Sequence, residues 1–165
     1  AQITGADPGE LFEIRNIANC VPPAHAFDDS VGAAIAYAIE HLGIDDIVVC
    51  GHTGCGGIGA LLDAKDVTGD EHLARWIDLT RPAHELIRAA GVTGPERHDE
   101  TAKAHIHFQI DNLMTYPSVA KGVLEGRINV HGWLYEMAHG RLLAYDVEEG
   151  TWRDLLHQAE GGLES

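Results

Sequence analysis

The chain has 165 residues, 45% of them hydrophobic and 22% charged, a balance that fits one globular domain with a sizeable core. Its formal net charge of −15, from 26 acidic and 11 basic residues, excludes a nucleic-acid surface built on clustered Lys and Arg and disfavours an anionic membrane as partner. No apolar run reaches the length of a membrane span, the first residues lack the basic and apolar regions of a signal peptide, and three cysteines without such a signal fit a reducing, cytoplasmic setting.

In chain order, residues 11–16 read as a short strand entered from the Asp7-Pro8-Gly9 turn, and Val21-Pro22-Pro23 stops regular structure. Asp29 or Ser30 caps a helix that runs to about His41, with Gly43 just past its end and an apolar stripe of Val31, Ala34, Ile35, Ala38, Ile39 and Leu42. Residues 44–50 form a second strand. A glycine turn leads into another helix, and a polar loop covers 66–70. Helices are expected at 71–79, at 82–90 with Pro82 in the first turn, and from Pro95 to about Tyr116, where Pro117 ends the longest one. A short helix to Glu125 stops at Gly126. Residues 128–135 are a third strand, turned by Ala138-His139-Gly140 into a fourth over 141–146 as an antiparallel hairpin. Residues 151–158 read as a last weak helix, and the tail to Ser165 as loose. Strands alternating with helices imply an α/β layered domain with a mostly parallel sheet flanked by helices and an antiparallel edge hairpin.

The most informative stretch is Gly51-His52-Thr53-Gly54-Cys55-Gly56-Gly57-Ile58-Gly59, which follows the apolar run Ile47-Val48-Val49-Cys50. An imidazole and a thiol stand three residues apart at the mouth of a strand–turn–helix, and both are good zinc ligands. Two ligands do not fill a zinc site, which wants four, or three and water. Gly54 to Gly59 also fits G-x-G-x-x-G, the dinucleotide-binding pattern, but no second strand ends in an acidic residue at the required distance. Cys20 and Cys50 read as packing residues and His131 as a hydrogen-bonded core residue. Arg15 reads as a buried ion-pair partner, and the three tryptophans as packing.

Four segments in order resemble the β-class carbonic anhydrases: residues 10–19 with Val21-Pro22-Pro23; residues 47–57; Asn112-Leu113 with Pro117-Ser118-Val119; and residues 128–135. The region of Pro117-Ser118-Val119 and the Glu125-Gly126-Arg127 turn are closest to the plant-like and cyanate-operon-like branch. The resemblance implies that family's α/β fold over a single domain, residues 1–165, and zinc held by His52 and Cys55. It also implies reversible hydration of carbon dioxide to bicarbonate by zinc-bound hydroxide, with the backbone N–H of Gly56 binding a substrate oxygen. Family members pair as dimers or dimers of dimers. The family's Cys-x-Asp-x-Arg segment, which carries a further zinc ligand, is not found in these residues. The expectation is that they begin partway into a longer polypeptide, without its N-terminal helices and first strand. Two other functions stay open: hydrolysis of carbonyl sulfide or carbon disulfide on the same scaffold, and an inactive structural or interaction subunit that lost the first ligand.

Overall fold

The computed structural model describes residues 3–26, 28–62 and 70–155. Its elements are a 3-10 turn at Ile17–Asn19, then α1 (Asp29–Glu40), β1 (Asp46–His52), α2 (Gly56–Leu62), α3 (Glu71–Asp78), α4 (Arg81–Ala89), α5 (Glu96–Leu113) and α6 (Pro117–Leu124), followed by β2 (Asn129–Glu136), β3 (Arg141–Asp146) and β4 (Thr151–Asp154). The fold is α/β. The four described strands form one mixed sheet in the order β1-β2-β3-β4. β1 and β2 run parallel, while β2–β3 and β3–β4 are antiparallel, so antiparallel pairing extends one strand beyond the expected hairpin.

Local chemistry accounts for the helix ends. The Asp28 carboxylate, one residue before the expected caps, accepts hydrogen bonds from the N–H groups of Ser30 and Val31 at 3.0 and 3.1 Å. Asp70 caps α3 in the same way through His72 and Leu73, and the rest of the expected 66–70 loop lies outside the described residues. Gly43 takes φ +65° just past α1, where Ile44 N–H closes back onto the Ala38 carbonyl. Pro117 both ends the α5 turn and sits in the first turn of α6.

Two adjoining positions decide how closely α5 lies on the sheet. Val49 and Gly51 of β1 are buried, and they stand opposite Gly132 and Leu134 of β2. The buried face therefore alternates large and small residues. Ile106 of α5 fills the space left by both glycines: a Cβ on Gly51 or on Gly132 would come within 3.0 Å of its side chain. Around this contact the main core gathers Val31, Ile35 and Ile39 of α1, Leu113 of α5 and Val119 of α6.

Four expectations change. Residues 11–16 are not a strand: they pair with no described strand, and Leu11, Phe12 and Ile14 are each 44–47% exposed. The last segment is strand β4 rather than a helix, because Trp152 pairs opposite Tyr145 and packs its ring at an angle against those of Tyr145 and His107; residues beyond 155 lie outside the description. His131 is exposed instead of core. The two-residue period of β2 turns Gly132 and Leu134 inward and leaves His131 on the other face, 2.7 Å from Asp46. Arg15 is also exposed, its ion pair with Glu13 formed at the surface.

Candidate metal centre

β1 ends on His52, and the chain then reverses through Thr53 and Gly54 to Cys55, which immediately precedes α2. Gly54 takes φ +67°, a left-handed conformation that L side chains resist, so the glycine is what permits the reversal. Thr53 fixes the turn to the end of β2. Its N–H donates to the Tyr135 carbonyl at 3.0 Å, and its hydroxyl accepts from Met137 N–H at 3.0 Å.

The half-buried His52 ring has one set tautomer. Its Nδ1 lies 2.9 Å from the Thr53 carbonyl oxygen, which can only accept, so Nδ1 carries the proton. In the neutral ring that leaves the Nε2 lone pair for a ligand. A backbone carbonyl holding the far ring N–H is the usual support of a metal-binding histidine. Cys55 is buried in an apolar cluster with Ala18, Cys20 and Ile58. Its carbonyl accepts from Gly59 N–H at 2.9 Å and from His98 Nε2–H at 3.1 Å. Gly56 is the first residue of α2, so its N–H has no acceptor within the helix, and a Cβ built there meets nothing within 4 Å.

Cys20 lies in the same cluster as Cys55. Burial, together with the nearby Cys55, pushes its thiol up to about 12, so it remains a thiol at neutral pH. Burial also raises the Cys50 thiol. Cys20 packs in the buried cluster as expected, while Cys50 is half-buried and its thiol faces the Gly51 carbonyl at 3.6 Å. Among the described residues no group of three or more His, Cys, Asp or Glu comes together to hold a metal. The donor set fits zinc as far as it goes, with one imidazole and one thiol, and it is short of a full site.

One feature with a direct effect on the site escaped the sequence reading. His98, Thr101, His105, Gln109 and Asn112 form a polar stripe at helical spacing along α5. His105 Nε2–H donates to the Ala18 carbonyl at 2.7 Å, with Gln109 donating to the other ring nitrogen at 3.3 Å. Gln109 Oε1 accepts from Val21 N–H at 2.7 Å, and Asn112 Nδ2 donates to the Val21 carbonyl at 2.9 Å. This stripe holds the segment that packs on Cys55. The signal was the spacing itself: five polar residues on one face of a helix that also carries buried Ile106 and Leu113.

A family model described as carbonic anhydrase matches residues 1–142. A carbonic anhydrase of Pseudomonas aeruginosa is 37% identical over 159 residues, which are 96% of this chain and 71% of that protein. The solved β-carbonic anhydrase CcaA superimposes with a TM-score of 0.87 at 31% identity, over 93% of this chain and 70% of that one. One of two tetrameric β-carbonic anhydrases from the filamentous ascomycete Sordaria macrospora gives a TM-score of 0.76 at 31% identity, covering 87% and 72%.

Proposed function

This chain belongs to the β-class carbonic anhydrases, enzymes of carbon dioxide hydration, and we propose that it works with zinc held in part by His52 Nε2 and the Cys55 thiolate. The observation that carries this reading is the Nδ1–H of His52 donating to the Thr53 carbonyl, which presents Nε2 at the end of β1. Bound zinc supplies the Lewis acidity that brings the pKa of water towards neutrality. The chain's own residues do the rest. Thr53, tied to Tyr135 and Met137, keeps the imidazole from turning. Ala18, Cys20 and Ile58 keep water from the flank of Cys55. Gly56 N–H, at the positive end of α2, donates to a substrate oxygen, and the absence of a side chain leaves that approach open.

We further propose a homodimer or dimer of dimers in the cytoplasm. The tetrameric Sordaria relatives support the assembly, as do the exposed apolar side chains of Leu11, Phe12 and Ile14. The three free cysteines agree with a reducing compartment.

A second reading, a structural or interaction subunit without catalysis, is favoured by one observation: no third donor joins His52 and Cys55 among the described residues. Metal analysis with a stopped-flow hydration assay decides between them. The enzyme reading expects one zinc per chain and measurable hydration, both lost in His52→Ala and in Cys55→Ser but kept in Cys20→Ala. Zinc retained by both site variants, or absent from the unaltered chain, overturns it.

A further inference from the structure

A second cluster lies at the other end of α2 from Cys55. Arg81, His84, Glu85 and Arg88 share one face of α4, at helical spacing. With Leu61 of α2 and Arg97 in the first turn of α5, they line a cleft of about 180 Å³. Three guanidinium groups thus converge in a chain whose net charge is −15. Arg81 is engaged by Asp78. Arg88 and Arg97 form no ion pair with any described residue, although 26 acidic residues are available to the chain.

His84 makes the cleft more than a basic patch. Only 8% of it is exposed, and neither ring nitrogen has a hydrogen-bond partner among the described residues. Buried polar groups are nearly always satisfied, so a residue left in this way asks for a partner from outside the chain. Burial, with the charges of His105, Arg97, His98 and Arg81 around it, lowers the His84 pKa to about 4. The ring is therefore neutral at physiological pH and offers one N–H and one lone pair.

We propose that this cleft is a binding site for a small oxyanion, separate from the metal centre. Arg88 and Arg97 supply the charge and the forked donors that suit phosphate or carboxylate oxygens, and His84 donates to a further oxygen. Glu85 and Asp78 set against the three arginines leave a net charge of about +1, which suits a small anion over a polyanion. The volume has room for inorganic phosphate or a short carboxylate.

Inorganic phosphate and acetate, titrated separately into the full chain at pH 7.5 and constant ionic strength, test this, with the ring signals of His84 followed by NMR and stoichiometry by calorimetry. At least one of them saturates at one per chain and moves the His84 signals. The half-saturation concentration rises at least tenfold in an Arg88→Gln/Arg97→Gln variant and in His84→Phe, which keeps a ring of similar size. The same titration in His52→Ala is unchanged, so failure of the zinc reading leaves this result standing. No saturable shift with either anion, equal shifts with chloride, or an unchanged half-saturation in both cleft variants overturns the proposal. Binding that disappears in His52→Ala also overturns it, by assigning the anion to the metal centre.

Discussion

Residues 17–21 and residues 51–59 are two short irregular stretches that meet at Gly57, and they are held in place by opposite means. The 51–59 stretch is shaped from within. Glycines supply the left-handed φ at Gly54 and the close approaches at Gly51 and Gly57, and the strand and helix on either side set its direction. The 17–21 stretch is shaped from outside. Ala18 and Asn19 take φ of 58° and 42°, a region that asparagine tolerates and alanine resists, and distant groups hold it: Trp76 Nε1 on the Ile17 carbonyl at 2.8 Å, His105 on Ala18, Gln109 and Asn112 on Val21. A stretch encoded in its own residues tolerates changes elsewhere. A stretch clamped by long-range hydrogen bonds fails when the clamp does.

Acid acts on His105 of the clamp and on His84 beside it. His105 and its neighbour His84 both have pKa values lowered by burial, His84 to about 4, so both are neutral in the folded protein at neutral pH. Above the ordinary histidine value of 6.5 neither state takes up a proton and their contribution is constant. As pH falls below that value the unfolded chain is protonated before the folded one, and stability declines until the folded pKa is reached. For His84 the loss is on the order of 3 kcal/mol. Urea unfolding at pH 7 and pH 4.5, in a His52→Ala background so that metal release does not contribute, measures it. The midpoint drops at the lower pH, and His84→Phe makes the drop shallower; equal drops in the two chains would remove His84 from the explanation.

The point of contact comes next. A Cβ on Gly57 would lie 2.8 Å from the Ala18 Cβ and 3.4 Å from the Ala18 backbone N, atoms that have little freedom to retreat. Gly57→Ala is expected to cost about 2–3 kcal/mol through overpacking. It also pushes residues 17–19 away from Cys55, so zinc content falls with stability. Gly56→Ala, where a Cβ meets nothing, leaves thermal stability near that of the parent, and equal losses in the two variants would refute the packing argument.

Gln109→Leu tests the clamp by itself. Leucine keeps the volume but leaves Val21 N–H and His105 Nδ1 without their partner, at a cost of about 2 kcal/mol. Denaturant midpoints give the loss, and faster amide exchange at Val21 locates it. Unchanged exchange there would mean that the segment is held by something other than Gln109.

The same contrast governs what could be read before the structure. The strand, the turn and the helix that carry His52 and Cys55 were legible because their causes are local: an apolar run, glycines, and the start of an apolar helix. The helices from α1 to α6 were legible for the same reason, through caps, prolines and apolar spacing. Residues 11–16 were misread because Leu11, Phe12 and Ile14 look like a strand, yet pairing requires a neighbour that no local pattern reveals. Thr151 and Trp152 were misread as helical for the converse reason, since their partners Asp146 and Tyr145 lie on the preceding strand. The polar stripe of α5 has the right spacing in the sequence, but its targets at Ala18 and Val21 lie far away along the chain, and only the folded structure brings them together.

The smallest effects come from exchanging the two solutions to left-handed backbone. Gly54→Ala places a side chain at φ +67° in a turn with open space around it, so its cost is conformational alone, about 1 kcal/mol. Ala18→Gly does the reverse. It relieves a similar conformational cost at φ 58°, but it removes a buried methyl group worth about 0.8 kcal/mol and adds freedom to the unfolded chain. The two terms oppose each other, and the net change is close to zero. Thermal unfolding of both variants therefore separates the regions: a clear decrease for Gly54→Ala and almost none for Ala18→Gly. A large loss in Ala18→Gly would show that the Ala18 methyl, as well as the groups that clamp its backbone, holds residues 17–21 against Cys55.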